Sequence, residues 1–259
     1  IQEAIARAGA IEPLVALLRS GSAGAQEQAA GALTNLATDN ADIQEAIARA
    51  GAIEPLVALL HSGSAKAQEE AAAALGTMAH GNADNQEAVT RAGAIEPLVA
   101  LLHSGSAKAQ QEAAAALGHL AANADNRVAI AGAGAIEPLV ALVRSGSSKA
   151  QDQAAGALGN LAVNFNNRPA IALAGAIEPL VALLRLGSPI ARRAAAAALG
   201  YLASSADTLA AFAEAEDLDP LIAWARDDSA VGSEAAAHLL LALAAHSVEI
   251  KRAINRAGG

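Results

Sequence analysis

Apolar and polar residues alternate along this chain in short helical blocks, and the blocks return at a near-constant interval. The stretch from Gly93 to Ala121, GAIEPLVALLHSGSAKAQQEAAAALGHLA, shows one full cycle. A compact apolar run, LVALL, follows a proline. An alanine-rich segment with Leu117 and Leu120 at helical spacing follows a Gly-Ser loop. Alanine and leucine at this spacing are strong helix formers, and no β-alternating run interrupts them. The pattern predicts three helices per cycle and an all-α fold. The first runs about two turns from an Asp or Asn cap (Asp42, Asp84, Asp125, Asn166, Asp207) to a glycine (Gly9, Gly51, Gly93, Gly134, Gly175) that permits a left-handed turn. The second carries proline in its first turn and ends on a cation or histidine: Arg19, His61, His103, Arg144, Arg185. The third is the longest, from Ser106 to Ala121 in the cycle quoted. Gly31, Gly76, Gly118, Gly159 and Gly200 interrupt these third helices, and their recurrence predicts close helix approach.

The interval itself sets the architecture. An acid-proline step falls at Glu12-Pro13, Glu54-Pro55, Glu96-Pro97, Glu137-Pro138, Glu178-Pro179 and, as Asp219-Pro220, once more, giving spacings of 42, 42, 41, 41 and 41 residues. Self-similarity at such a period is the mark of a solenoid. The expected division is one array of repeats at about 1–41, 42–83, 84–124, 125–165, 166–206 and 207–246, with 247–259 as the first helix of a seventh. Ile1–Ala8 repeats Ile43–Ala50 exactly but lacks the capping residue before it, so the natural boundary is expected upstream.

Composition narrows the function classes. The 259 residues are 54% hydrophobic and only 2% aromatic, enough for an Ala/Leu/Ile/Val core. A net charge of −9 argues against nucleic acid, because phosphate binding needs a concentrated basic face. The absence of cysteine leaves no disulfide, thiolate metal site or thiol nucleophile, and fits an intracellular, cytoplasmic setting. No apolar run approaches the roughly 20 residues of a membrane helix, so no direct membrane insertion is expected.

The pattern AGAIxPLVxLL, then a Gly-Ser loop, then AQExAAxALxNLA resembles the armadillo repeat, the family of β-catenin and importin-α, over nearly the whole chain. The sixth unit departs, with Glu216 at the turn glycine and Trp224 at a core leucine position. The resemblance implies a right-handed superhelical solenoid with three helices per repeat. It also implies a groove lined by third helices, where an amide near each helix end pairs with the backbone of an extended peptide. By position, that ladder is Asn35, Thr77, His119, Asn160, Tyr201 and Ala242, so only two of six are Asn. One turn earlier, where importin-α-type adaptors place tryptophan, stand Gly31, Ala73, Ala115, Gly156, Ala197 and His238, which argues against classical nuclear-signal binding.

Seven and eight residues before the ladder lie Glu27/Gln28, Glu69/Glu70, Gln111/Glu112 and Asp152/Gln153, an acidic and amide-rich strip, changing to Arg192 and Arg193 in the fifth repeat. Lys66 with Glu70 and Lys108 with Glu112 are spaced as i,i+4 pairs that neutralise part of it. The strip equally suits ordinary helix electrostatics. Tyr201 is a candidate anchor in a chain with so few aromatics. His80 and His119 fall on adjacent third helices without a third ligand, so no metal or other cofactor is expected. No catalytic constellation is present, and an enzyme is not expected. The expected function is a scaffold or adaptor that holds an extended protein segment of basic or polar character. The alternatives are a self-associating or flanking-repeat-stacking fragment, through uncapped ends, and an engineered consensus-like array.

Overall fold

The computed structural model describes residues 1–205 and isolated positions beyond them. The expectations for the sixth and seventh repeats, including Asp207, Glu216, Trp224, His238 and Ala242, lie outside the described residues. The chain forms two compact units, residues 1–135 and 136–259. The first holds α1 (Gln2–Arg7), α2 (Ile11–Ser20), α3 (Ala23–Ala37), α4 (Ala41–Arg49), α5 (Ile53–Ser62), α6 (Ala65–Ala79), α7 (Ala83–Arg91), α8 (Ile95–Ser104), α9 (Ala107–Leu120) and α10 (Ala124–Gly132). The second holds α11 (Ile136–Ser145), α12 (Ser148–Ala162), a 3-10 turn (Phe165–Asn167), α13 (Arg168–Leu173), α14 (Ile177–Leu186) and α15 (Pro189–Ala203). Every described regular element is helical, as the sequence pattern predicts.

The short first helices stop where glycine allows it. Gly51 has φ 77°, and the Gly51 and Ala52 N–H groups reach back to the Ala48 and Ile47 carbonyls at 2.9 and 3.3 Å. This pair of bonds satisfies carbonyls that the helix end would otherwise orphan, and it turns the chain into α5. The same arrangement recurs at Gly9, Gly93, Gly134 and Gly175, all at positive φ. Third helices start on a serine cap: the Oγ of Ser64 and of Ser106 each accepts from the N–H three residues on, at 3.1 Å. Such a cap contributes about 1 kcal/mol.

The first-helix caps differ from expectation. Asn40, Asn82 and Asn123, two residues before the expected aspartates, accept from the Ile43, Asn85 and Asn126 N–H groups, and Asn164 caps the 3-10 turn that contains Asn166. The asparagines have extended backbones that aim Oδ1 at the free N–H groups, whereas Asp42, Asp84 and Asp125 already lie in the first helical turn. There their charge meets the positive end of the helix dipole instead.

Third helices form the spine of each unit: α3 packs on α6 and α6 on α9, and in the second unit α12 packs on α15. Leu33, Leu75 and Leu117 are fully buried, with alanines filling the remaining approach. The mid-helix glycines divide into two sets. Gly76, Gly118, Gly159 and Gly200 share one repeat position, where Thr34 stands in the first repeat. A Cβ at Gly76 would lie 3.1 Å from Ala116 Cα, so close packing requires glycine there. Gly31 instead belongs with Gly156, three residues earlier on the helix, and its added Cβ would face Glu70 Oε2 at 3.1 Å. The single recurrence expected from the sequence is therefore two positions, tight at Gly76 and at Gly31, whereas a Cβ at Gly156 would meet nothing within 4 Å and one at Gly159 would lie no closer than 3.6 Å to any neighbour.

Buried amides supply the remaining joints. Asn85, Gln86 and Asn126 donate to the Met78, Ala79 and Leu120 carbonyls at the ends of the preceding third helices. Gln26, Gln68 and Gln110 donate to the last carbonyls of the second helices, at 2.9, 3.0 and 3.0 Å. Arg19 complements a helix end too, but a forward one: its Nη2 donates to the Gly51 carbonyl of the next repeat at 2.9 Å.

Candidate functional site

The expected groove residues of α3 lie on the helix face left open by the core. In α3 the buried set is Ala29, Ala30, Leu33, Leu36 and Ala37, which leaves Glu27, Gln28, Gly31 and Asn35 on the other side. Between α3 and α6 this face opens into a concavity of about 350 Å³, lined by Glu27, Gln28, Gly31, Asn35, Lys66 and Glu70 with Ala32 and Thr34. Gly31 gives it depth, because any side chain there would project toward Glu70. Three expected site residues of the first two repeats, Glu27, Asn35 and Glu70, are thus brought together, with Gln28 beside them.

Ladder positions differ in availability. Asn35 is exposed, Thr77 half-buried, and in the second unit Asn160 and Tyr201 are exposed. His119 is half-buried and turned inward, its Nδ1 2.9 Å from the Gly76 carbonyl. That carbonyl needs a partner, because the His80 N–H bonds to Thr77 O rather than continuing the helix. The His80 and His119 rings do meet, with centroids 4.6 Å apart. Burial, and secondarily the nearby His80, push the His119 pKa below its ordinary value, against the opposing effect of the Gly76 bond. Among the described residues no three His, Asp or Glu side chains gather as a metal site.

The strip is acidic in composition but largely partnered. Glu27 Oε1 accepts from the Ser64 hydroxyl at 2.5 Å, so the acid of one repeat grips the capping serine of the next third helix. Asp152 does the same with Ser188, also at 2.5 Å. Glu69 and Glu70 both hold the Lys66 ammonium, at 2.5 and 2.7 Å. Hydrogen bonds to Glu69, then to Glu70, raise the Lys66 pKa above its ordinary value. Lys108 pairs with Glu112, which also accepts from Gln111 Nε2. Gln153 is half-buried on α12. The pairs that the i,i+4 spacing predicts are present at Glu70 and Glu112, and other acids of the strip, Glu27 and Asp152, form a serine-acid joint between repeats. Its signal in the sequence is the recurrence of an acid 37 or 36 residues before a Ser-Gly-Ser-type serine.

In the fifth repeat Arg192 and Arg193 are both exposed on α15. Tyr201 lies two turns further along that helix, 39% exposed. The Arg168 guanidinium sits over its ring at 5.8 Å and over the Phe165 ring at 5.2 Å. Phe165 is itself 54% exposed, and the sequence reading overlooked it as a neighbour of Tyr201.

Comparison with known proteins places this geometry. The armadillo/beta-catenin-like repeat model matches residues 1–38, 40–80, 82–122 and 123–163. No curated protein matches the chain. One crystal structure of an engineered protein is 37% identical, with a TM-score of 0.80 over 90% of this chain and 98% of that one. A second engineered protein is 36% identical, with a TM-score of 0.88 over 99% of this chain and 63% of the other. A designed armadillo repeat protein, solved in complex with the peptide (KR)4, is 29% identical, with a TM-score of 0.78 over 90% of this chain and 99% of that one. The repeat period, the three-helix unit and these matches agree: the chain belongs to the armadillo/beta-catenin-like repeat family.

Proposed function

We propose that this armadillo chain is a non-enzymatic scaffold that holds an extended, basic or polar protein segment across the third-helix face of residues 1–135. The observation that carries the reading is the open concavity between α3 and α6, where the exposed Asn35 amide and the Glu70 carboxylate line one surface. An amide offers a donor and an acceptor on one rigid group, so it can pair with a peptide backbone whatever its side chains. Glu70 shares Lys66 with Glu69, and an arginine of the partner could replace that lysine with a bidentate contact. The (KR)4 peptide of the designed relative supports basic character. Titration of labelled (KR)4 against wild type, Asn35→Ala and Glu70→Gln tests the reading. Both variants should weaken binding several-fold; unchanged affinity in both would remove the concavity from consideration.

Self-association is a second reading. Sedimentation across a hundredfold concentration range separates the two: the scaffold reading predicts a constant mass. An engineered, consensus-like array is a third reading. It is supported by the near identity of the second and third repeats and by the likeness to engineered proteins.

A further inference from the structure

The fifth repeat breaks two rules that the earlier repeats keep. At the position of Arg192 they carry Gln26, Gln68, Gln110 and Gln151, each donating to a second-helix carbonyl. At the position of Arg193 they carry Glu27, Glu69, Gln111 and Asp152, of which Glu27, Glu69 and Asp152 bind a neighbouring serine or lysine. In α15 both internal bonds give way to guanidinium groups that are exposed and have no partner among the described residues. Lys149 and Arg185 are also exposed without a partner among the described residues, but only Arg192 and Arg193 are adjacent, and they stand in a chain of net charge −9 where Lys66 and Lys108 are each held by glutamate.

On the same helix, Arg193, Ala197 and Tyr201 follow at i, i+4 and i+8 and are all exposed, so they share one face. Ala197 leaves the space between cation and aromatic open. Tyr201 is fixed from beside: the Arg168 guanidinium lies over it while Nε donates to Ala162 O at 2.8 Å and Nη1 to Ser204 Oγ at 2.9 Å. Phe165 flanks the same guanidinium, making a half-exposed aromatic pair on a rigid support. Rigid aromatics lose little entropy on binding and often anchor interfaces.

We infer that the outer face of α15 docks an acidic segment of a partner protein, with Arg192 and Arg193 taking carboxylates and Tyr201 with Phe165 taking an apolar or aromatic side chain. Arg193 and Tyr201 are eight residues apart, about 12 Å along the helix. An extended peptide covers that distance in about four residues, which sets the spacing of the segment's acid and its anchor. An acidic peptide fits better than nucleic acid, since the basic cluster is short and lies in an acidic chain. The inference rests on the third-helix face being the binding face, as proposed above, but assigns this repeat a partner charge opposite to that of the first unit.

The test uses the whole chain and labelled peptides carrying EEGSGF and its reverse FGSGEE, with QQGSGF as control. One of the two acidic peptides should bind, at least tenfold more tightly than the control. R192E/R193E should abolish that binding and gain binding to KKGSGF, and Tyr201→Ala should weaken it several-fold, with R192K/R193K near wild type. Equal binding of the control, indifference to R192E/R193E, or equal displacement by an octathymidine strand would overturn the inference. Binding of (KR)4 measured in parallel separates the levels. If (KR)4 binds and the acidic peptides do not, only this inference fails; if neither binds, the third-helix reading fails with it.

Discussion

His119 Nδ1 lies 2.9 Å from the carbonyl of Gly76, joining α9 to α6 at a position where the family pattern has a peptide-binding asparagine. A carbonyl only accepts, so Nδ1 carries the proton. The ladder position of the third repeat therefore commits its Nδ1 to a contact between repeats.

This bond gives a pH dependence with a definite sign. Burial depresses the folded-state pKa of His119 below its unfolded value, so the unfolded chain binds the extra proton first. The stability tied to neutral His119 is complete above the unfolded pKa of about 6.5 and is lost as pH falls through the lower folded pKa, with a slope of at most about 1.4 kcal/mol per pH unit. Between pH 7.5 and 5, His119→Gln should lose less stability than wild type in denaturant titrations. Parallel curves for the two proteins would contradict the assignment.

The forward bond from Arg19 to the next repeat predicts a coupling between two sites. Gly51 and Gly93 both have positive φ, so alanine at either costs about 1–2 kcal/mol in backbone strain. At Gly51 the added Cβ would also lie 2.7 Å from Arg19 Nη2, whereas nothing lies within 4 Å at Gly93. Gly51→Ala should cost more than Gly93→Ala, and the difference should disappear in an Arg19→Ala background. A double-mutant cycle by chemical denaturation measures it.

Thr90 offers a change in the other direction. Its Oγ1 is buried without a hydrogen-bond partner among the described residues, and the equivalent positions hold Ala6, Ala48, Ala131 and Ala172. Removing an unsatisfied hydroxyl from a helix, with alanine's better propensity, should outweigh the lost methyl contact and raise stability by about 1 kcal/mol. Thermal melts of Thr90→Ala should show a midpoint a few degrees higher; a lower midpoint would mean that the methyl group carries the packing at this site.

Much of this was readable from the chain because repetition exposes it. The glycine turns, serine starts and leucine core recur at one spacing, and local preference and global period agree at each of them. The caps stand two residues before the aspartates that the sequence suggests, because Asn and Asp both suit a helix start and only backbone geometry separates a cap from a first-turn residue. Gly31 and Gly76 look alike in the sequence, and only the opposing surface separates them: a glutamate in one case, the Ala116 backbone in the other. The candidate strip was legible in composition, but its partners were not. Glu27 and Asp152 meet serines 37 and 36 residues away, a contact set by the stacking of helices rather than by any local spacing.

The central claim is that partners lie on the third-helix face, and amide chemical-shift mapping of the labelled protein tests it most directly. On adding (KR)4, the account predicts that the largest shifts fall at Gln28, Gly31, Asn35 and Glu70, with α2 and α5 almost unmoved. Shifts centred instead on α2 and α5, or on the exposed side of α1, would contradict it and move the binding surface off the third helices.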